Sequence, residues 1–429
     1  MRKNEQRRME VCAHWAGLTE PALMGTLYAT PGRGKEIFSF EYDPEWLKGK
    51  HARDLDPRLG LFKGQQYASD TRDNFGIFLD SSPDRWGRLL MQRREAQEGR
   101  EQKRAPKTLY ESDYLLGVYD GHRMGALRFR ANSEGPFLND NRTLPASPWA
   151  SLRELENASL ELEKDDAENN PEYSKWLKML IAPGGSLGGA RPKASVIDEQ
   201  GHLWIAKFPS TRDEVDMGAW EVVVHKLAQR AGIAVAQASA RRFGSRYHTF
   251  LTRRFDRTDG GGRLHFASAM TLLNRVDGDG AATGASYLEL VQFLSKEGAQ
   301  APDDLGQLWR RIVFFICVSN TDDHLRNHGF MLQPKGWALA PAYDMNPVST
   351  GNGLHLNISE SDNAQDLELA LSVIEYFRLK KPQAEKIIAD VIETVKTWRA
   401  VASSVGISSG EQDRMANAFR IIETRSNSP

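Results

Sequence analysis

Short apolar runs separated by turn residues dominate the beginning of the chain. Within residues 9–45, three such runs are rich in β-branched and aromatic side chains and are bounded by Gly, Pro and polar residues, a pattern that predicts strands. These predicted strands are VCAHWAG, LMGTLYAT and EIFSFEY.

A longer segment with helical character follows the predicted strands. In NFGIFLDSSPDRWGRLLMQRREAQEGR, Ser82 and Pro83 fit a helix cap and first turn. The segment LYESDYLLGVYDG predicts another helix, and RMGALRFR predicts a closing strand. We therefore predict a β-rich N-terminal subdomain over residues 1–132.

The next part of the chain combines connecting helices with a small β-rich lobe. The acidic segment ASLRELENASLELEKDDAENN carries many like charges, which favours a solvated helix or connector. A glycine-rich stretch then leads into two short strands, KASV and HLWIAKFPS, whose intervening DEQG indicates a hairpin. The apolar positions of DMGAWEVVVHKLAQRAGI recur at helical spacing, and Gly232 ends that helix. We assign these elements to residues 133–258.

Beyond residue 285 the periodicity is almost entirely helical, as in IIADVIETVKTWRAV. A helical C-terminal lobe over 259–429 would therefore follow the β-rich parts. The order of elements predicts an α+β protein in which the small β lobe precedes the large helical lobe.

Composition narrows the range of functions. The chain has 429 residues with 56 Lys and Arg against 57 Asp and Glu, so it lacks the basic excess typical of a dedicated nucleic-acid binder. Its longest apolar run, Ile312 to Val318, is too short to span a bilayer. The charged N-terminus leads into no apolar segment of a secretory signal, and two cysteines cannot form a disulfide framework. We expect a soluble cytoplasmic protein that does not bind membranes.

The stretch SNTDDHLRNHGFML concentrates chemically active side chains directly after the apolar run. Asp322 and Asn327 have the D-x4-N spacing with which protein kinases place a catalytic carboxylate and a magnesium ligand. Asp344 follows a short strand, LQPKGWALAP, and a hairpin there would bring this carboxylate back beside Asn327. Carboxylate and amide oxygens are the ligands that Mg²⁺ prefers.

Each of these residues also has a simpler interpretation. Asp344 could be a turn acid, and Asp323 with Arg326 could form a surface ion pair of little energetic value. His324 and His328, four apart, could bind zinc on a helix, but no glutamate follows the first histidine as it does in metalloproteases.

Lys207 and the glycine-rich loop are candidates for binding phosphate. Lys207 lies in the middle of the strand LWIAKFPS, where a buried ammonium group needs an anionic partner, although the side chain could instead face water. Glu221, near the start of the next helix, is its natural ion-pair partner. The loop PGGSLGGARPK, which contains Gly188 and Gly189, could wrap phosphates with backbone N–H groups but lacks the ending of a Walker A loop. These features occur in the order that a protein kinase requires, so we predict a protein-kinase-like two-lobed fold behind the added N-terminal subdomain.

The chain resembles the HipA family of bacterial serine/threonine kinases, the toxins of HipBA-type toxin–antitoxin modules. SLGGARPK is similar to the family's S-x-x-G-A-Q-x-K loop, with Arg191 in place of the usual Gln. TDDHLRNHGF resembles the T-D-x-H-x-x-N catalytic loop, and LAPAYDMNP resembles the P-x-Y-D metal-binding segment. The segment LDSSPD corresponds, with a slight departure, to the family's L-P-D-S motif.

The resemblance implies a role for each matching residue. Asp322 would be the catalytic base, His324 would line the site, and Asn327 and Asp344 would bind Mg²⁺. Lys207, supported by Glu221, would contact the ATP phosphates. The backbone of Arg253 and Phe255 would meet adenine, Asp256 would lie near the ribose, and Ser186 would be autophosphorylated, which withdraws the glycine-rich loop from the nucleotide pocket.

The resemblance also implies a biological setting. The protein would phosphorylate a serine or threonine of a target such as an aminoacyl-tRNA synthetase or another translation factor. A small helix-turn-helix antitoxin of the HipB type would neutralise it, and contact with DNA would be indirect, through that antitoxin. Two alternatives stay open: a kinase-like co-repressor that binds a DNA-binding partner without essential catalysis, and a small-molecule kinase similar to aminoglycoside phosphotransferases, for which ESDNAQDLE could supply an acidic pocket.

Overall fold

The structure, a computed structural model, describes residues 5–68, 73–139, 147–181 and 189–426. The chain divides into two compact units. The first comprises Met1–Thr211 and Asp256–Ala267, and the second comprises Arg212–Phe255 and Ser268–Pro429. The three-part division of the chain at residues 132 and 258 stays a prediction.

A six-stranded antiparallel sheet forms the N-terminal part of the first unit, in the order β4-β3-β2-β1-β5-β6. Its buried face carries Phe38, Phe40 and Phe129, and Phe78 packs against the last two of these. This confirms the predicted early strands, because alternate apolar residues line one face of each strand. The strands are β1 (Arg7–Ala13), β2 (Ala22–Pro31), β3 (Glu36–Tyr42), β4 (Gln65–Tyr67), β5 (Leu127–Arg130) and β6 (Phe137–Leu138).

The N-terminal part of the chain also contains helices, and the segment predicted as one helix after the early strands forms two. The segment predicted as continuous forms a short helix and a long one, and Asp84, not Ser82, caps the long helix by accepting a hydrogen bond of 2.9 Å from the Gly87 amide. The cap moves because Pro83 occupies the position before Asp84 and Ser82 instead donates to the Phe78 carbonyl. The helices are α1 (Pro44–Lys48), α2 (Gly76–Leu79), α3 (Arg85–Glu101) and α4 (Glu111–Gly117).

The remainder of the first unit contains the predicted hairpin. Strands β8 and β9 are antiparallel, with Lys193 opposite Lys207, and β7 runs parallel to β8. The acidic helix is not merely solvated, because Leu155, Ala158 and Leu162 of α5 are buried. Most of its charged residues lie outside this buried set, but Glu156 is buried as well. The elements are β7 (Ser147–Pro148), α5 (Leu152–Leu162), α6 (Tyr173–Ile181), β8 (Lys193–Ile197) and β9 (Leu203–Lys207).

The second unit begins with a buried helix and a hairpin. The apolar face predicted for α7 is confirmed, since Trp220, Val223 and Leu227 are fully buried. Trp220 lies 6.0 Å from Trp398, whose ring stacks on Phe419. The elements are α7 (Met217–Arg230), β10 (Ala238–Arg241) and β11 (Thr249–Arg253), followed by β12 (Phe266–Ser268), within which the chain passes from the first unit to the second.

Helices build most of the second unit around the buried α10, which carries Trp309 and the apolar run Ile312 to Val318. The predicted hairpin after this helix is present as β13 and β14, which pair antiparallel from Phe330↔Leu339 to Gln333↔Gly336. Within the described residues, no helix combines the length and apolarity needed to cross a bilayer. The elements are α8 (Ala269–Leu272), α9 (Tyr287–Glu297), α10 (Ala301–Val318), β13 (Gly329–Gln333), β14 (Gly336–Leu339), α11 (Leu367–Ser372), α12 (Lys381–Val395), α13 (Trp398–Val405), α14 (Ser409–Met415) and α15 (Arg420–Ser426).

Candidate active site

The end of α10 sets the position of the polar loop at 319–328. Ser319 caps the helix in the left-handed conformation, with φ of 48°, and is fully buried. The Ser319 carbonyl accepts from the Val348 amide at 3.1 Å, and Asn320 Oδ1 accepts from the Asn346 amide at 3.0 Å. The loop and the segment after β14 are therefore held together by two backbone amides, one donating to a backbone carbonyl and one to a side-chain oxygen.

The two neighbouring carboxylates of the loop have opposite environments. Asp322 is exposed, whereas Asp323 is 1% exposed and accepts a hydrogen bond of 3.0 Å from the His355 amide. The alternative of a surface pair between Asp323 and Arg326 is wrong, because Arg326 pairs with Asp277 at 3.3 Å. Of the two acids, only Asp322 is accessible to a reactant.

Asn327 closes the loop. Its amide N–H donates to the His324 carbonyl at 2.7 Å, and its side-chain Nδ2 donates to the Asp322 carbonyl at 2.8 Å. Asn327 is 7% exposed, and its Oδ1 atom has no hydrogen-bond partner among the described residues. A buried amide oxygen without a partner is costly, which points to a ligand or ion that satisfies it.

Asp344 lies in the segment that returns from the hairpin. Its φ of 56° is unusual for a residue other than glycine and costs about 1 kcal/mol. The preceding Tyr343 donates through its hydroxyl to the Arg326 carbonyl at 2.6 Å, which ties this segment to the polar loop. The backbone thus holds the Asp344 side chain in a direction that an extended strand would not give.

The imidazole of His324 interacts electrostatically with both candidate carboxylates, Asp322 and Asp344. Burial lowers the pKa of His324 below its usual value, while the charges of Asp322 and Asp344 act in the opposite direction. Both acids therefore lie within electrostatic reach of one imidazole. The His355 ring lies perpendicular to His324, with centroids 5.8 Å apart, and also lowers its pKa.

These residues fit a magnesium ion. Mg²⁺ is typically bound by one or two side-chain oxygens together with substrate phosphates and water. Asn327 offers a buried Oδ1 atom without a partner, and Asp344 offers a carboxylate fixed by a strained backbone. No group of three His, Cys, Asp or Glu suited to a metal occurs in the described part of the chain.

The predicted phosphate-binding residues lie in separate units. Lys207, at the end of β9, is 8% exposed, so the alternative of a side chain facing water is wrong. Glu221 is buried in α7 of the second unit. Their pairing stays a prediction, as does the phosphate contact of Lys207.

The described residues of the glycine-rich loop begin at Gly189, which has a φ of 89° that favours glycine. Its carbonyl accepts from Lys193 Nζ at 3.2 Å. Ser186 and Gly188, which carry the predicted autophosphorylation and part of the predicted phosphate cradle, lie outside the described residues.

The predicted adenine-binding segment straddles the boundary between the units. The Arg253 amide bonds the Gln237 carbonyl at 2.8 Å, and the Phe255 ring lies 5.5 Å from that of Tyr343. Asp256 is fully buried and accepts from the Gly125 amide at 2.9 Å and from Arg257 at 2.6 Å. The nucleotide roles of Arg253, Phe255 and Asp256 stay predictions, and the carboxylate of Asp256 has at least these structural partners.

Sequence comparison supplies the family. The sequence profile of the HipA-like C-terminal domain matches residues 185–399, half of the chain, including the whole polar loop and Asp344. The chain belongs to the HipA family. A protein of Haemophilus influenzae that carries a provisional kinase name is 26% identical to this chain over an alignment of 210 positions, which covers 43% of this chain. The chain spans about three fifths of that relative's length, 61%.

A solved structure extends the likeness to the fold of the entire chain. The HipA-family chain is similar to a protein chain in the complex of HipA, HipB and operator DNA from the toxin–antitoxin system of Shewanella oneidensis, with a TM-score of 0.64 and 17% identity. The match covers 97% of this chain and 96% of that one. At this identity the likeness concerns the fold, and it confirms the predicted kinase-like α+β class.

Two long-range contacts could not be predicted from the sequence. The hydrogen bond that Asp323 accepts from the His355 amide joins residues 32 positions apart. The ion pair between Asp84 and Lys193 joins residues 109 positions apart.

Proposed function

We propose that this HipA-family protein is an ATP- and Mg²⁺-dependent protein serine/threonine kinase. One observation carries the proposal: Asn327 fixes the backbone of the exposed Asp322 through Nδ2 and leaves its buried Oδ1 without a partner among the described residues. Asn327 thus holds the backbone of the proposed base, Asp322, and offers its own Oδ1 atom as a ligand for a metal ion. The match of the family profile across this loop and across Asp344 supports the same assignment.

In the proposed reaction, the hydroxyl oxygen of a protein serine or threonine attacks the γ-phosphorus of ATP. The bond from that phosphorus to the bridging oxygen breaks, ADP leaves, and the hydroxyl proton passes to Asp322. Asn327 and Asp344 would hold Mg²⁺, which neutralises the charge on the phosphates. Lys207 would orient the phosphates, and this positioning and charge neutralisation supply most of the rate enhancement in phosphoryl transfer.

The finer parts of the proposal concern regulation and partners. We propose that Ser186 is autophosphorylated and that its new charge favours a loop conformation without bound ATP. We also propose that the protein is the toxin of a toxin–antitoxin module and binds a small HipB-like helix-turn-helix protein. The similarity to a chain from a complex of HipA, HipB and operator DNA supports that partner. A translation factor such as an aminoacyl-tRNA synthetase is the proposed class of substrate.

The decisive experiment is incubation of the full chain with γ-labelled ATP, with and without Mg²⁺. We expect Mg²⁺-dependent incorporation into the protein, which mass spectrometry locates at Ser186 and which Ser186→Ala removes. Label at another residue would refute the proposed switch but not the kinase. Because Ser186→Ala also removes an acceptor, a generic protein substrate is included to measure transfer to another chain.

The same structural likeness also supports a second candidate function, that of a co-repressor whose main role is to bind a DNA-binding partner. If the chain incorporates no label into itself or into a protein substrate in the presence of Mg²⁺, but binds a HipB-like protein stably, this second function would replace the first.

A further inference from the structure

Two arginines share one buried carboxylate in the first unit. Arg128 donates to Asp120 through Nε and Nη2, and the shortest of these contacts joins Nη2 to Oδ2 at 2.7 Å. Arg263 donates through Nη2 to the same Oδ2 atom at 3.1 Å and to the Asp120 backbone carbonyl at 2.6 Å. The side chains of Asp120 and Arg263 are only 8% and 10% exposed. The carboxylate of Asp120 is therefore shared by two guanidinium groups in surroundings that water hardly reaches.

Positive charge is in excess around Asp120. Burial raises the pKa of this carboxyl, but the guanidinium groups of Arg263, Arg128 and Arg123 together lower it by more, so the pKa lies below its ordinary value. Three cations thus act on one carboxylate. Because buried charge without compensation is costly, such a cluster favours a further anion.

Asp256 does not remove this excess. Burial lowers the pKa of Arg263 to about 10, and the charge of Asp256 opposes this less than that of Asp120 does. Asp256 Oδ2 already lies 2.6 Å from Arg257 and accepts from the Gly125 amide. With a pKa of about 10, Arg263 is positively charged at neutral pH.

Arg263 also has a donor that the protein leaves unused. Its Nη1 atom is buried and has no hydrogen-bond partner among the described residues. A buried N–H group that lacks an acceptor is costly, and most such groups in folded proteins are satisfied. The Nη1 atom therefore points to an oxygen atom that a ligand supplies.

His14 supplies a second donor beside the arginines. Arg128 Nη1 lies 3.3 Å from His14 Nδ1. Because a guanidinium group can only donate, Nδ1 accepts, and the neutral imidazole carries its proton on Nε2. Burial lowers the pKa of His14 and the charges of Arg128 and Arg263 lower it further, which keeps the ring neutral at pH 7. His14 and Arg128 are half-buried, so the cluster is accessible from their side.

We propose that Arg263, Arg128 and His14 form a binding site for a phosphate group. Arg263 Nη1 and His14 Nε2 donate to its oxygens, and its charge of about −2 at neutral pH balances the excess around Asp120. Guanidinium groups suit this ligand because their planar N–H donors match the oxygens of a phosphate. The site takes inorganic phosphate or the phosphate of an ester. It is separate from the ATP site of the proposed function and does not depend on kinase activity.

The test is thermal unfolding of the full chain, without nucleotide or Mg²⁺, in sodium phosphate and in sodium chloride of equal ionic strength. A ligand that binds only the folded state raises the Tm. Because phosphate also stabilises proteins in general, the response of the wild type is compared with that of Arg263→Met. We expect phosphate to raise the Tm of the wild type by about 3 °C more than that of the variant. An equal rise in a folded Arg263→Met variant overturns the site.

Arg130→Met is the matched control, because Arg130 is an arginine of the same unit that is 20% exposed and pairs with Glu10 at 2.9 Å. It changes charge and volume as Arg263→Met does, and it should respond to phosphate like the wild type. An equal loss of response in both variants overturns the proposal, because net charge alone would then explain it. Lys207→Met should also keep the response. A response lost in that variant places the phosphate at the proposed nucleotide site and overturns the separate site.

Two further variants keep the test decisive if Arg263→Met does not fold. Arg263→Lys keeps a cation beside Asp120 but lacks the second Nη group, and His14→Phe removes Nε2 while the arginines stay. We expect each to weaken the binding of inorganic phosphate, measured by calorimetry, by about tenfold. Wild-type affinity in both folded variants overturns the proposal.

O-phosphoserine and serine distinguish the two sources of the phosphate group. A Tm rise with O-phosphoserine but not with serine supports a phosphate ester, and a rise with inorganic phosphate alone supports the free ion. If neither compound stabilises the wild type more than the Arg263→Met variant, the proposal is wrong.

Discussion

The side-chain amide of Asn327 donates a hydrogen bond of 2.8 Å to the backbone carbonyl of Asp322. The bond spans five positions of a loop that has no helix or strand of its own, and it orients the Asn327 Oδ1 atom away from that carbonyl. Asn327 therefore has two separable tasks, one in holding the loop and one in offering an oxygen to a cation.

Asn327→Ala removes both tasks. We expect the Mg²⁺ concentration for half-maximal phosphorylation to rise at least about tenfold, in the range observed when residues that orient or supplement metal ligands are lost. The measurement is initial rate against Mg²⁺ at fixed ATP. Asn170→Ala is the control, since Asn170 is an exposed asparagine that caps the Glu172 amide at 2.9 Å. An unchanged Mg²⁺ requirement in Asn327→Ala would remove Asn327 from the metal site.

Asp322 and Asp323 provide a comparison between adjacent acids. Asp322→Ala should reduce the phosphorylation rate by about a hundredfold or more while the free energy of unfolding stays close to that of the wild type, because the side chain is exposed. Asp323→Ala should lower the free energy of unfolding by about 1–3 kcal/mol, because the substitution empties the buried position of Asp323 and leaves the half-buried His355 amide without its acceptor. Steady-state kinetics and urea denaturation of both variants measure the two effects. A fully active Asp322→Ala enzyme would contradict the assignment of the base.

The order of structural elements around the site could be predicted from sequence, because each element has a local signal. The apolar run at the end of α10, the polar loop after it and the β13–β14 hairpin follow from hydrophobicity and turn chemistry. The buried face of α5 was missed, because its charges obscured the periodicity of its leucines. The burial of Asp323 beside an exposed Asp322 could not be predicted, since a loop has no fixed period that assigns sides.

Long-range partners were the other limit. Asp84 and Lys193 are 109 positions apart, and nothing in either local sequence indicates the other. The same applies to Tyr343, whose hydroxyl bonds the Arg326 carbonyl. Such contacts depend on how the elements pack, and a single sequence carries no direct record of that.

Lys207→Met tests the phosphate contact. The substitution keeps most of the buried aliphatic stem and removes the ammonium group, so we expect KM for ATP to rise by about tenfold or more as a charge-assisted contact is lost. The control is Lys164→Met, which removes an exposed lysine that pairs with Glu161 on the surface. Equal KM values for ATP in the Lys207→Met variant and the wild type would return Lys207 to a purely structural role.

His265 provides a test of pH dependence that does not involve catalysis. Burial lowers the pKa of His265 from its usual value near 6.5 to about 3, and its ring packs 5.5 Å from that of Trp15. The unfolded chain therefore binds a proton that the folded chain does not bind between pH 6.5 and pH 3. The stabilising contribution is fully present above pH 6.5 and is lost as the pH falls through this window.

The measurement is the free energy of unfolding in urea at pH 7.5 and pH 5.0 for the wild type and for His265→Leu. Because one pKa unit corresponds to about 1.4 kcal/mol, the wild type should lose about 2 kcal/mol more than the variant between these two pH values. His14 and His225, whose pKa values burial also lowers, are present in both proteins and therefore cancel in the difference. Equal losses in the two proteins would mean that His265 is protonated in the folded state, or solvated, at pH 5.0.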